Sequence, residues 1–370
     1  MSIKSTLNEA LEAVKRQASM PVSKRRHIHV SGLPGWGKTK GLEGLSPLSV
    51  TLPCPLLSKE DICVPIYNKD TDKLDLKLHP MLEGFIAKAK ANPRVPACMI
   101  FDEIMQASVE DQKAYASMIY DRMIAGETLP PNVITVSTGN QRKHQSGAGQ
   151  SMAHLIGRMK VYTIEANVDD FLEWGADRLH ADVMAYLAMK PAAALALSDD
   201  PSDEDMAAMY RSASRDFDPY PSARSWTALS DELNSFPNMA IADLASHVGE
   251  ARAREFSALR GMTVPSNDDL IKGRSPWPEE PMAQWVSIIN LGRGITPAVS
   301  EDTVNLVKNL SPSMVEVFLN VAGRRAQAWL KDNGKTVPKS TKMALMSFPK
   351  FRETLFAEGS RYALALEESA

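Results

Sequence analysis

Two short runs in this chain hold residue types whose spacing suits joint chemistry. Gly32-Leu33-Pro34-Gly35-Trp36-Gly37-Lys38-Thr39 fits the phosphate-loop pattern G-x-x-x-x-G-K-[ST] at every fixed position. The absence of side chains at Gly35 and Gly37 lets successive backbone N–H groups turn inward on an anion, and the helix that follows adds the positive end of its dipole. Such a loop binds a nucleotide through Gly32, Pro34, Gly35, Trp36, Gly37, Lys38 and Thr39. Lys38 reaches the β- and γ-phosphates and the Thr39 hydroxyl ligates Mg²⁺. Further on, Ala97-Cys98-Met99-Ile100-Phe101 is a continuous apolar run that closes on Asp102-Glu103. Acids at the tip of a buried strand are placed for chemistry: Asp102 is expected to hold the metal with Thr39, and Glu103 to act as the base on an attacking water. The expected ligands are a nucleotide and Mg²⁺.

These residues need elements to carry them. His27-Ile28-His29-Val30 reads as a short buried strand delivering the chain to the loop, and Val133-Ile134-Thr135-Val136-Ser137-Thr138 as a third strand ending at Gly139-Asn140-Gln141. A helical stretch from about Val109 to Ala125 precedes it. Parallel strands of a doubly wound sheet bring such tips to one edge, where Asn140 can orient water or touch the γ-phosphate.

In this order the three elements resemble the AAA+ ATPases, with Asn140 where that family has its sensor-1 residue. Ala153-His154-Leu155-Ile156-Gly157-Arg158-Met159 looks like the family's arginine-finger segment, although Gly157 stands where an acid is usual and Met159 where Phe is usual. Pro221-Ser222-Ala223-Arg224-Ser225-Trp226 resembles the sensor-2 motif at the start of a lid helix. The run Asn167-Val168-Asp169-Asp170-Phe171-Leu172-Glu173-Trp174 and the Ser-x-Arg-Ser-Trp motif look most like the MoxR branch, in a compact phage or bacterial form. Larger MoxR proteins have a longer pre-sensor hairpin where Gly126-Glu127-Thr128-Leu129-Pro130-Pro131 makes a short turn here.

The resemblance implies an α/β fold: an AAA+ P-loop core with a parallel five-stranded sheet flanked by helices, then an all-helical lid and a helical C-terminal extension. It also implies an ATP hydrolase working as a ring, expected to be a hexamer, with Arg158 acting in trans on the neighbour's nucleotide and Arg224 acting from the lid. The expected work is remodelling or chaperone-like assembly of a client protein. MoxR proteins are often paired with von Willebrand factor A proteins; the metal motif of those partners, Asp-x-Ser-x-Ser, does not occur here, so such a partner would be a separate chain.

Strand-like runs stop after Thr163, which puts the core at 1–165, a lid at 166–265 and the extension at 266–370. Two alternating segments around a polar turn at about 64–78 predict an inserted hairpin, and the resemblance implies that Ile66, Tyr67 and its charged tip are candidate contacts for a pore or partner. Helices are expected at Val168 to Met189, Ser222 to Leu233 and Ala240 to Leu259. Beyond the Pro-rich break at 273–281 come Met282 to Leu291, Asp302 to Lys308, Ser313 to Lys331 and Phe351 to Leu366. Ser198-Asp199-Asp200-Pro201-Ser202-Asp203 reads as an exposed acidic loop, and Met1 to Gln17 as an amphipathic helix opened by Ser5 or Thr6.

A chain of 370 residues with 44% hydrophobic and 24% charged residues suits a globular protein with sizeable cores. Cys54, Cys63 and Cys98 lack metal spacing and are too few for a disulfide framework, so the cytoplasm is the expected compartment, with no zinc site and no membrane span. Two other functions share the phosphate loop. A DNA-directed AAA+ motor or loader calls for a basic surface, which a net charge of −3 does not favour. A monomeric small-molecule kinase leaves Arg158 and Arg224 without work.

Overall fold

The structure is a computed structural model that describes residues 4–70, 72–140, 157, 159–197, 202–260, 264–294, 301–307 and 309–333. It divides into two compact units, Met1–Asn167 with Tyr210–Arg215, and Val168–Met209 with Asp216–Ala370.

The first unit is built on a parallel sheet. Apolar runs buried on both faces form its middle strands, as parallel sheets require. They are β2 (His27–Gly32), β6 (Ala97–Asp102) and β9 (Val133–Asn140); β10 (Met159–Ile164), whose Val161 is exposed, lies between β2 and the edge strand β1 (Lys4–Ser5), and β3 (Leu48–Pro53) is the other edge. The strand order is β1-β10-β2-β9-β6-β3, every neighbouring pair parallel. The sheet therefore has six strands where five were expected. The extra one is β1, which pairs Lys4 with Thr163 and Ser5 with Ile164 before Thr6 caps the next helix. Two residues, one of them charged, leave no apolar run for a sequence reading to find.

One face of the sheet packs on α1 (Leu7–Ala18) and α2 (Lys38–Glu43), burying Ala10, Val14, Ile28, Val30, Leu42, Ile100 and Val136 together. On the opposite face Leu52, Met99 and Phe101 pack with Leu82, Phe85 and Ile86 of α4 (Pro80–Ala91) and with Tyr115 of α5 (Val109–Ala116). Helix α5 is shorter than expected. A π-type turn at Ser117–Asp121 and a left-handed Arg122 (φ 53°) end it, and the chain then makes a small hairpin, β7 (Met123–Ile124) and β8 (Glu127–Thr128). Consecutive left-handed residues at Ala125 (φ 48°) and Gly126 (φ 81°) match the twist such a two-residue turn needs.

The inserted hairpin consists of β4 (Cys63–Asn68) and β5 (Lys73–Leu78). Its register pairs Pro65 with Leu76 and Tyr67 with Leu74 on one side, and Val64 with Lys77 and Ile66 with Asp75 on the other. Val64, Ile66, Tyr67, Leu74 and Leu76 are all exposed.

In the second unit every regular element among the described residues is helical. The stretch expected as one helix from Val168 to Met189 is two, α6 (Val168–Gly175) and α7 (Ala181–Met189), separated by a turn that His180 closes as the cap of α7. The stretch from Ala240 to Leu259 is also two, α10 (Ile241–Val248) and α11 (Glu250–Leu259), because Gly249 at φ 81°, ψ 157° takes a conformation open essentially to glycine alone. A helix that was not anticipated, α8 (Asp203–Asp216), begins at a capping box of Ser202 and Asp205. Ser222 caps α9 (Ala223–Ser235), whose Trp226 packs with Tyr186 and Phe256 at ring separations of 5.4 and 5.8 Å. α12 (Asn267–Ile271), α13 (Pro281–Arg293), α14 (Glu301–Val307) and α15 (Pro312–Asn333) follow. The expected helix from Phe351 to Leu366 and most of the acidic loop lie outside the described residues. No helix among the described residues is long and apolar enough to cross a membrane.

Candidate functional site

Strand alternation decides what meets at the sheet's edge. Side chains at i and i+2 share a face, so Ile100 and Asp102 on β6, and Val136, Thr138 and Asn140 on β9, all point toward α2. The pairing of β9 with β6 (Phe101 with Ser137) and with β2 (Gly32 with Asn140) brings the strand ends level.

The loop between β2 and α2 turns on Gly35 (φ 77°) and Gly37 (φ 73°), left-handed positions that favour glycine. Nothing lies within 4 Å of where a Cβ on Gly37 would stand, so the space beside it is open. Gly32 is needed for a different reason: a Cβ on it would come within 2.4 Å of Ile164 Cγ1 on the adjacent strand. Trp36 is buried, and Pro34 is half-buried. Lys38 is also buried. Its Nζ donates to Leu33 O at 2.7 Å, to Gly32 O at 3.3 Å and to Asn140 Oδ1 at 3.1 Å.

Asn140 bridges two of the expected roles, because its Nδ2 also donates to Glu103 Oε1 at 3.1 Å. Beside it, Asp102 Oδ1 accepts from the Thr39 hydroxyl at 2.6 Å and from the Thr138 hydroxyl at 2.5 Å. Glu103 is left-handed, at φ 53° and ψ 40°, an unusual state for a residue with a side chain. Its backbone N–H donates to Thr138 Oγ1 at 3.0 Å.

Five residues singled out in the sequence (Lys38, Thr39, Asp102, Glu103 and Asn140) thus share one hydrogen-bonded network. Arg158 lies outside the described residues. Arg224 is exposed in the first turn of α9, in the second unit. Thr138 was missed, although its alternation with Asn140 is visible in the sequence. A hydroxyl inside a run of strand formers looks like filler until the register places an acid opposite it.

The other face of β2 and β9 holds a second polar chain. His27 Nδ1 is 3.1 Å from Thr135 Oγ1, and Ser137 Oγ lies 2.8 Å from both His27 Nε2 and His29 Nδ1. Burial, helped by the neighbouring His29, pulls His27 down to about 3; burial, and then the charge of Lys38, brings His29 to about 4. Both rings are therefore neutral at physiological pH.

The residues fit a magnesium-bound nucleoside triphosphate. A hydroxyl and a carboxylate are the hard oxygen donors that Mg²⁺ takes, and an open glycine loop with a buried lysine suits a polyphosphate.

No protein-family model matches the chain, and no curated protein matches it significantly. Among solved structures it is similar to a "putative ATPase" from Cytophaga hutchinsonii, with 12% identity, 72% of this chain and 68% of that chain covered, and a TM-score of 0.26. A likeness so distant bears on neither activity nor partners.

Proposed function

We propose that this chain is an ATP hydrolase of the AAA+ type, similar to the MoxR branch, which couples turnover in an oligomeric ring to remodelling of a client protein. One observation carries the reading: Asn140 spans Lys38 and Glu103 while Thr39 and Asp102 share a hydrogen bond beside them. That arrangement gathers an ammonium, a hydroxyl–carboxylate pair and a second carboxylate around one loop, which supports reading them as phosphate-binding, metal-binding and base groups.

The loop glycines and Lys38 would hold the phosphates, with Lys38 exchanging the carbonyl oxygens of Leu33 and Gly32 for phosphate oxygens. Thr39 and Asp102 would hold Mg²⁺, which when bound neutralises charge on the phosphates. Glu103 would take the proton of the attacking water on its carboxylate, and Asn140 would keep that carboxylate in register with Lys38. Within the ring, expected to be a hexamer, Arg158 would reach the neighbouring subunit's nucleotide and Arg224 would act from the lid. In this reading residues 1–165 are the nucleotide-binding core, 166–265 the lid and 266–370 an extension, with the client on a separate chain. The β4–β5 hairpin, with its exposed Ile66 and Tyr67, would be one contact for it.

The test is ATP hydrolysis per subunit against protein concentration, with Glu103→Gln as control. A rate that climbs steeply and then saturates is expected, with Glu103→Gln binding ATP but turning over about 10²–10⁴-fold more slowly. A flat profile would mean a self-contained subunit and end the ring reading. Glu103→Gln at the wild-type rate would end the base assignment.

A further inference from the structure

We infer that Thr138 is a positioning residue of the site, one hydroxyl that makes the placement of the metal-holding acid and of the base depend on each other. The inference rests on the ATPase reading above and adds to it a residue that no nucleotide-binding motif assigns.

The hydroxyl's bonding is fully determined by its partners. A threonine hydroxyl has one hydrogen to give and lone pairs to accept with. The carboxylate of Asp102 can only accept, so the proton of Thr138 points to Asp102 Oδ1, 2.5 Å away. The backbone N–H of Glu103 can only donate, so it takes a lone pair of the same oxygen, at 3.0 Å. One atom therefore reads the position of the Asp102 side chain and of the Glu103 backbone together. Thr138 is 1% exposed, so water cannot readily replace either bond.

The placement of Glu103 needs such support. A non-glycine residue in the left-handed region persists only where its surroundings over-determine it. Two contacts do so here: Thr138 at the Glu103 amide and Asn140 at the Glu103 carboxylate. Both come from β9, two residues apart and on the same face. The residue between them, Gly139, faces the other way, where a Cβ would come within 2.8 Å of the His29 ring. Ser137 also points away, its hydroxyl taken by His27 and His29. No neighbour on the strand can substitute for Thr138. Thr39 donates to the same Asp102 oxygen from the opposite side, so that oxygen is fixed between a strand and the phosphate-loop helix.

Valine has the shape of threonine without the hydroxyl, and serine has the hydroxyl without the methyl. Thr138→Val leaves a part-buried amide without this acceptor and takes one of two hydroxyl donors from Asp102; Thr138→Ser restores both. The experiment uses the full chain and two readouts. The first, independent of turnover, is amide hydrogen exchange at Glu103 in the absence of nucleotide. It should quicken about tenfold or more in Thr138→Val and return to within about threefold in Thr138→Ser. The second is steady-state ATP hydrolysis with Mg²⁺ titrated. Thr138→Val should lower kcat about tenfold or more and raise the half-saturating Mg²⁺ concentration, with the KM for ATP within about threefold, and Thr138→Ser should recover both.

A purely structural role would lower the thermal midpoint and the active fraction without moving the Mg²⁺ half-saturation. That result overturns the inference. So does unchanged exchange at Glu103, or a serine variant as impaired as the valine one. A wild-type chain that hydrolyses no ATP at any concentration overturns the ATPase reading instead, and is seen before any variant is compared.

Discussion

Two clusters of charged side chains, one in each unit, differ in what holds their charges. In the helical unit the carboxylate of Glu255 accepts from the Tyr186 hydroxyl at 2.6 Å, from Arg252 Nη1 at 2.6 Å and from Lys190 Nζ. Burial alone would push this carboxyl up, but the hydrogen bonds from Lys190, Tyr186 and Arg252 and the charge of Arg252 outweigh it, bringing Glu255 to about 2. At the sheet edge the contacts among the site residues themselves are with dipoles. Lys38 donates to two backbone carbonyls and an amide oxygen, Asp102 accepts from two threonine hydroxyls, and Glu103 accepts from the Asn140 amide. The first cluster pairs its one carboxylate with two cations and ties Tyr186 of α7 and the Lys190 that follows it to α11. The second keeps its charged groups in place with neutral donors and acceptors, so an incoming anion and cation can exchange with them without breaking a salt bridge among these contacts. Charge alone does not mark a site; the nature of its partners does.

The sharpest way to break this contrast is Lys38→Ala. Because those three acceptors are neutral, removing the ammonium strands no carboxylate at them, and the thermal midpoint should move by only a degree or two. ATP affinity and turnover should fall by roughly 10³-fold, the scale of losing a buried charged hydrogen-bond partner. Isothermal titration with ATP and a melting curve on the same sample read both quantities. Undiminished ATP affinity would remove Lys38 from the site.

Much of the sheet was legible because buried parallel strands are apolar runs, and β2, β6 and β9 each end on the residues that matter. Lys38, Thr39, Asp102, Glu103 and Asn140 were therefore legible one at a time. Their convergence was not, since it depends on non-local register: Gly32 opposite Asn140, and Phe101 opposite Ser137. The same holds for His27 and His29, which read as strand residues until β9 supplies Thr135 and Ser137. β1 is too short to carry a pattern. The break at Gly249 was visible as a glycine, but an isolated glycine within a helical period is often tolerated, and only its φ of 81° decides the matter.

Acid separates the units by a second route. His27 and His29 have folded pKa values of about 3 and about 4, below the ordinary 6.5, so the unfolded chain binds their protons first as the pH falls. The stability they allow is complete above about 6.5 and declines as the pH drops toward 4 and 3, at roughly 2 kcal/mol per histidine by pH 5. Glu255 has a folded value of about 2 against an ordinary 4.5, so its contribution is complete above 4.5 and is lost only as the pH falls toward 2. Segment-resolved hydrogen exchange at pH 7 and pH 5, corrected for intrinsic rates, should show β2 and β9 losing protection while α11 keeps its own. Parallel losses in both units would mean that the buried histidines do not set the acid limit of the sheet.

The smallest effect tests the other half of the contrast. Glu255→Gln keeps the shape of the side chain and removes the charge that Arg252 Nη1, on a side chain 4% exposed, meets at 2.6 Å. Arg252 Nε still donates to Ala196 O at 3.0 Å, and Lys190, about one-third exposed, can turn to water, so the loss should stay near 2 kcal/mol. The decline in stability between pH 4.5 and 2 should shrink with it, because glutamine has no proton to take up. Hydrogen exchange in α7 and α11 reads both. If the variant kept full stability at pH 7, the three donors would be holding Glu255 at no net gain, and a carboxylate so strongly paired would have to be explained by something other than packing.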